Sequence, residues 1–177
     1  MDSINQQQEE ENRKDLQDAE AIEKLKALCD KKSCFFCTNI TSGQAFATRP
    51  MSVQQTGDDG ALWFLSANDS HKNKEITTDP MVQLLFQGSS YSDFATLYGR
   101  AVITEDKEKI KELWQPILKT WFTEGIDDPR ISVIKVIPHT GYYWDTKHGK
   151  LVAFAKQIAG AIMGKTLDDS IEGRLEM

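Results

Sequence analysis

Between residues 33 and 146 the sequence presents about six or seven strand patterns, most joined by short turns, with no regular strand–helix–strand alternation. That succession constrains the fold more than any single motif. Parallel sheets need long crossover connections, whereas antiparallel strands can be joined by hairpins. The patterns fall at 33–40, 44–55, 61–66, 81–87, 93–105 and within 131–146. The turn Thr56-Gly57-Asp58-Asp59-Gly60 joins two of them, and Asp-Gly suits turn positions that need positive φ. Gly99, inside a long strand pattern, predicts a bulge or the close approach of a neighbouring backbone. Helical spacing appears over 15–30, where Leu16, Ala19, Ile22, Leu25, Leu28 and Cys29 share a face, and over 106–122. Pro116 divides the second stretch into a kinked helix or two short ones. Residues 151–163 also read as a helix, and the tail beyond Gly164 reads as frayed. The expectation is a mainly β domain, an antiparallel sheet closed into a small barrel with flanking helices.

Composition narrows the function. The formal net charge of −6 argues against a general nucleic-acid partner, because the average surface repels phosphate. No stretch approaches the ~20 apolar residues of a membrane span. The opening residues lack the charged-then-apolar pattern of a signal peptide, so the reading is a cytoplasmic protein with no membrane partner. The chain divides into a disordered tail (1–14), one barrel domain (15–150) and a C-terminal helix and tail (151–177). Cys34 and Cys37 spell C-x-x-C, but no second ligand pair follows to complete a zinc site. In a strand, positions three apart face opposite sides, so these two read as buried strand residues and no metal is expected. Near the C-terminus, Gly160-to-Thr166 resembles a phosphate loop but lacks the glycine at the required position, which is Ala159.

One stretch leaves the apolar pattern abruptly. Trp63 to Ile76 reads WFLSANDSHKNKEI, a strand that ends near Ser66 and gives way to a short helix with Ser70 as its N-cap. Backbone N–H groups at a helix start attract anions, and Lys72, Ser70 and Asn73 add a charge, a hydroxyl and an amide. Two readings stand here: a phosphate cradle, or a polar loop with an ordinary cap. A second feature is Arg49-Pro50-Met51 within the 44–55 strand pattern. Proline cannot donate to a ladder, so this is either the edge of a ligand site or an edge strand with a solvent-facing arginine.

Taken together and in order, ATRPM, the acidic turn, LWFLSANDSHKNKEI, DPMVQLLF, YGRAVITEDKEKIKELW and GYYWD resemble the pyridoxamine 5′-phosphate oxidase-like flavoproteins, and within them general stress protein 26. The resemblance covers roughly residues 19–147. It implies a split β-barrel of antiparallel Greek-key type, a homodimer, and FMN at the subunit interface, with FAD as the alternative flavin. It also implies roles. Arg49 would contact the FMN phosphate or ribityl chain, Pro50 and Met51 would lie along the ring, and Ser66 would face the ribityl or phosphate. Ser70 and Lys72 match the phosphate-binding pair, with His71 and Asn73 as neighbours. Trp114 and Trp144 would wall the flavin from the second subunit, or else serve as core tryptophans at the dimer contact. The family's vitamin B6 oxidases carry an Arg/His motif near the C-terminus; here Arg174-Leu175 has no following histidine. The expected activity is a flavin-dependent oxidoreductase of unknown substrate linked to stress response. The alternative is a non-catalytic flavin carrier or redox sensor.

Overall fold

In the computed structural model, residues 12–43, 45–89, 93–148 and 169–177 are described. In chain order the elements are β1 (Leu16–Gln17), α1 (Asp18–Cys29), β2 (Ser33–Thr38), β3 (Ala47–Ser52), β4 (Gln55–Thr56), β5 (Leu62–Ala67) and α2 (His71–Thr78). There follow β6 (Met81–Gln87), β7 (Phe94–Thr104), α3 (Lys107–Leu113), two 3-10 turns (Pro116–Thr120 and Gly125–Asp127), β8 (Ile131–Thr146) and β9 (Ser170–Glu176). Pro116 takes the first turn of a 3-10 helix, where its missing N–H costs nothing, and the 106–122 stretch accordingly breaks into two pieces.

The nine strands form one sheet in the order β1-β9-β8-β7-β6-β2-β3, with β5 attached to β8 and β4 to β5. All pairings are antiparallel except that of β1 with β9. The fold hinges on the sixteen-residue β8. One edge pairs with β7 along its length; the other pairs with β5 over Ile131–Val136 and with β9 over Thr140–Thr146. The sheet does not close into the barrel that the strand pattern alone suggests; it is split, as the family resemblance implies. β3 pairs with β2 and β4 with β5, so the ladder changes partner between Ser52 and Gln55 instead of running through. The change is pinned at Val53, whose side chain is buried and whose N–H bonds to Lys32 O, while the next N–H, of Gln54, bonds to Trp63 O. Because β3 ends the sheet path, Pro50 is tolerated there.

Gly99 behaves as its position predicts. The register skips His139 between Tyr98 and Gly99, and a Cβ on Gly99 would lie 2.4 Å from Ile137 O. The main core joins Phe36, Phe64, Leu84, Leu97, Ile134 and Tyr143 from the sheet to Leu25, Leu28 and Cys29 of α1. Phe36 and Phe64 meet edge to face at 5.3 Å. A smaller core gathers Ile110, Leu113, Leu118 and Phe122 over Leu65, Ile131 and Val133.

Two expectations at the chain's ends need correction. The first helix begins at Asp18, not 15, because Leu16 and Gln17 pair with Leu175 and Glu176. Ala19 is exposed while Ala21 is buried. The tail expected to fray supplies β9, whose alternating Gly173 and Leu175 face inward. Within the expected N-terminal tail, Asn12 is buried and bonds through its carbonyl to Glu172 N, and Lys14 N bonds to Glu172 O. This segment crosses Gly173 so closely that a Cβ there would lie 1.9 Å from Lys14 O. Residues 1–11 and the expected helix at 151–163 lie outside the described residues.

Cys34 joins the main core, while Cys37, on the other face of β2, accepts from Thr48 Oγ1 at 3.7 Å. Burial pushes the Cys34 thiol up to about 12 and raises that of Cys29 as well.

Candidate functional site

The polar exit from β5 becomes a compact hydrogen-bonded group. Ser70 caps α2 in extended conformation, its Oγ accepting from Asn73 N. Register places Ser66 of β5 opposite Ser132 of β8. Ser66 Oγ donates to Asn73 Oδ1 at 2.8 Å, Asn73 Nδ2 donates to Ser132 Oγ at 2.8 Å, and Ser132 Oγ donates to Ser66 O at 2.9 Å. The loop of bonds holds the end of β5 and the first turn of α2 together. Lys72 is only 6% exposed, and its Nζ donates to Ser66 Oγ. The ammonium has three donors, and among the described residues that bond accounts for one.

Arg49 arrives from β3. Its register partner is Phe36, so its side chain shares the inner face of the sheet with Phe36 and Thr38. Arg49 Nη1 donates to Thr38 Oγ1 at 3.1 Å and to Glu75 Oε2 at 2.7 Å, and Thr38 Oγ1 donates to the same Glu75 oxygen at 2.5 Å. Burial opposes ionisation of Glu75, yet the bonds from Thr38 and Arg49 hold its carboxyl below the usual range. Burial, and then the charge of Arg49, pull the Lys72 ammonium down to about 8 against the raising influence of Glu75. Two cations thus stand within electrostatic reach of each other, with hydroxyls from Ser66 and Ser70 beside them. Such a donor set suits a phosphate: arginine as a planar fork, lysine as a point charge.

The outer face of the same sheet is different in kind. Pro50 pairs with Phe35, and Phe35 is 55% exposed. Nearby lies a cavity of about 610 Å³ lined by Phe35, Leu85, Phe94, Thr96, Trp144 and Glu172, among others. Tyr98, Val102 and Ile137 add exposed apolar surface on β7 and β8.

A model of proteins described as pyridoxamine 5′-phosphate oxidase like matches residues 20–168. The chain belongs to this family. Protein bli-3 of Neurospora crassa is 28% identical over 127 residues, 67% of this chain and 61% of its own length, so the chain spans less than two thirds of that curated relative. A structure described as general stress protein 26 from Jannaschia sp. superposes with a TM-score of 0.72 at 25% identity, over 88% of this chain and 96% of that one. The general stress FMN/FAD binding protein of Xanthomonas citri superposes at 0.56 with 22% identity, over 67% of this chain and 82% of that one. These likenesses agree with the split barrel and with the general stress protein 26 branch that the sequence motifs resemble.

Of the residues singled out in the sequence of this pyridoxamine oxidase-like chain, Ser66, Ser70, Lys72 and Arg49 converge at one end of the barrel. Met51 shares the inner face with Arg49 and packs on the main core. Pro50 points to the outer face. His71 opens α2 and is exposed. The two tryptophans part company. Trp144 lines the outer-face cavity, where its ring meets that of Tyr142 at 4.7 Å with the planes tilted by 48°, while Trp114 packs against the smaller core and meets Phe122 at 6.4 Å. Sequence reasoning passed over Thr38, Glu75 and Ser132. Glu75 stands three residues after Lys72 on a short helix, a spacing that puts both on neighbouring positions and was available as a signal. Thr38 and Ser132 become neighbours of the site only through strand register.

Proposed function

We propose that this chain is a flavoprotein that binds FMN, with FAD the alternative flavin, and acts as a flavin-dependent oxidoreductase. The observation that carries the reading is the buried Lys72 beside Arg49, with the hydroxyls of Ser66 and Ser70 around it. A buried ammonium is costly unless an anion is meant to share its surroundings. Arg49, Lys72, Ser66 and Ser70 would hold the phosphate. Pro50 and Met51, one and two residues beyond Arg49 on an edge strand, would lie along the ring, Met51 through its backbone because its side chain packs on the main core. When bound, the flavin supplies hydride or electron transfer, and the chain's own residues bind, orient and shield it. The name of the Xanthomonas citri protein that shares the fold supports the choice of flavin.

The active form is proposed to be a homodimer with the flavin at the subunit interface. The exposed Phe35, Tyr98, Val102 and Ile137 and the cavity containing Trp144 give a second copy an apolar face to cover. Among the described residues no helix is long and apolar enough to cross a membrane. Oxidation of pyridoxamine phosphate is not part of the proposal, because Arg174 sits in β9 with its N–H bonded to Asp15 and no histidine follows Leu175.

The test is the visible spectrum of the purified protein after incubation with FMN and desalting. Retained oxidised-flavin bands support the reading; a colourless protein that also fails to quench flavin fluorescence overturns it. A non-catalytic carrier or sensor is the second reading. It is favoured by the fact that Glu75, the carboxylate at the site, is engaged by both Arg49 and Thr38. Reduction of the bound flavin by NADH or NADPH, followed by reoxidation by an acceptor, separates an oxidoreductase from a carrier.

A further inference from the structure

The cationic pair has an anionic member of its own. Glu75 lies 2.7 Å from Arg49 Nη1 and one helical turn from Lys72, with its carboxylate held in place by Thr38. Lys72 directs its bond to Ser66 and makes none to Glu75 among the described residues, so the carboxylate bonds to Arg49 and acts on Lys72 through space alone. The side chains of Arg49 and Glu75 are 24% and 22% exposed, too sheltered for water to screen the pair fully. We infer that Glu75 sets the charge of the phosphate site, lowering its preference for a terminal, doubly charged phosphate over a singly charged phosphodiester. This rests on the flavin-phosphate reading above.

The argument is one of charge balance. Arg49 and a protonated Lys72 contribute two positive charges and Glu75 removes one. A terminal phosphate monoester carries between one and two negative charges near neutral pH, whereas each phosphate of a dinucleotide carries one. A fixed carboxylate repels the monoester, whose charge is gathered on the one phosphate in the site, more than a dinucleotide's pyrophosphate, whose second charge lies farther off, and does not act on a flavin without phosphate. Glutamine at position 75 keeps an oxygen that accepts from Arg49 and Thr38, so it removes the charge while leaving the bonds possible.

The experiment measures dissociation constants of riboflavin, FAD and FMN by flavin fluorescence for the wild-type protein and for Glu75→Gln, Glu75→Ala and Lys72→Ala. The expected result for E75Q is FMN binding about tenfold tighter, FAD tightened less and riboflavin unchanged. E75A should show the same order, which keeps the test alive should one variant fold poorly by circular dichroism. Equal changes for all three flavins, or weaker FMN binding in both variants, would overturn the inference and make Glu75 a residue that positions Arg49. The two layers fail differently. If FMN binds, K72A weakens it and E75Q does not move it, only the role of Glu75 falls. If wild type binds no FMN, or K72A leaves FMN affinity intact, the phosphate assignment falls and takes this inference with it.

Discussion

Replacing Lys72 by Met should stabilise the flavin-free protein while abolishing tight flavin binding. Lys72 is almost fully buried, and its ammonium titrates at about 8 against an ordinary 10.5. The folded state therefore gives up this proton more readily than the unfolded chain. Between about pH 8 and 10.5 the unfolded chain binds more protons, so wild-type stability rises with pH in that window; below about 8 the cost of the buried charge is present in full. The gap corresponds to a cost of about 3 kcal/mol at pH 7, falling to less than half of that at pH 9.5. Losing the bond to Ser66 returns about 1 kcal/mol, leaving a net gain of roughly 2 kcal/mol at pH 7 and little at pH 9.5. The assay is urea unfolding followed by tryptophan fluorescence, at both pH values, with no flavin added, alongside FMN titration. A K72M protein less stable than wild type at pH 7, or one whose gain is equal at the two pH values, would refute the reasoning. The buried charge would then not be the source of the cost.

Three further outcomes follow from the geometry. Gly173→Ala places a methyl group where Lys14 O now lies, at 1.9 Å, and should cost roughly 3 kcal/mol in denaturant unfolding while sparing FMN affinity. Trp144, in the outer-face cavity, is proposed to wall the flavin of the second subunit, so FMN binding should quench tryptophan emission, and Trp144→Phe should remove a measurable part of that quenching; an unchanged quench would take Trp144 out of the flavin's surroundings. All three thiols are free and buried, so an aromatic disulfide reagent should label none of them quickly in the native protein and all of them in urea, and rapid native labelling of Cys34 would contradict its position in the core.

The strands were legible because their alternation is strong. In β7, Ala95, Leu97 and Ala101 are buried while Tyr98, Arg100 and Val102 are exposed, and Gly99, an inward position with no side chain, marks the bulge. Ser70 and Lys72 were legible because a cap followed by a cation in the first helical turn has a local cause. What stayed hidden depends on pairing. Glu75 meets Arg49 only because β3 aligns Arg49 with Phe36 and so brings it beside Thr38, and nothing in either local segment encodes that register. Ser132 looks like one polar residue in an apolar strand until Ser66 is placed opposite it. β9 was missed because its inward positions include a glycine, chosen by the backbone crossing over it and invisible to a count of apolar residues. The two tryptophans were indistinguishable in sequence, and packing separates them.

The pairing of β1 with β9 has a consequence for how the molecule is built. Gln17 and Glu176, which bond through their side chains, are separated by 159 positions. The hairpins β2–β3 and β6–β7 join near neighbours and can close early, whereas the seam of Lys14, Leu16, Gly173 and Leu175 must wait for a very long loop to close. Until it does, α1 is not anchored at its start, and the apolar core that Leu25 and Leu28 cover remains open to water. Refolding should therefore show a late step in which one face of the barrel is still sticky, and crowding of chains at that stage favours aggregation over completion.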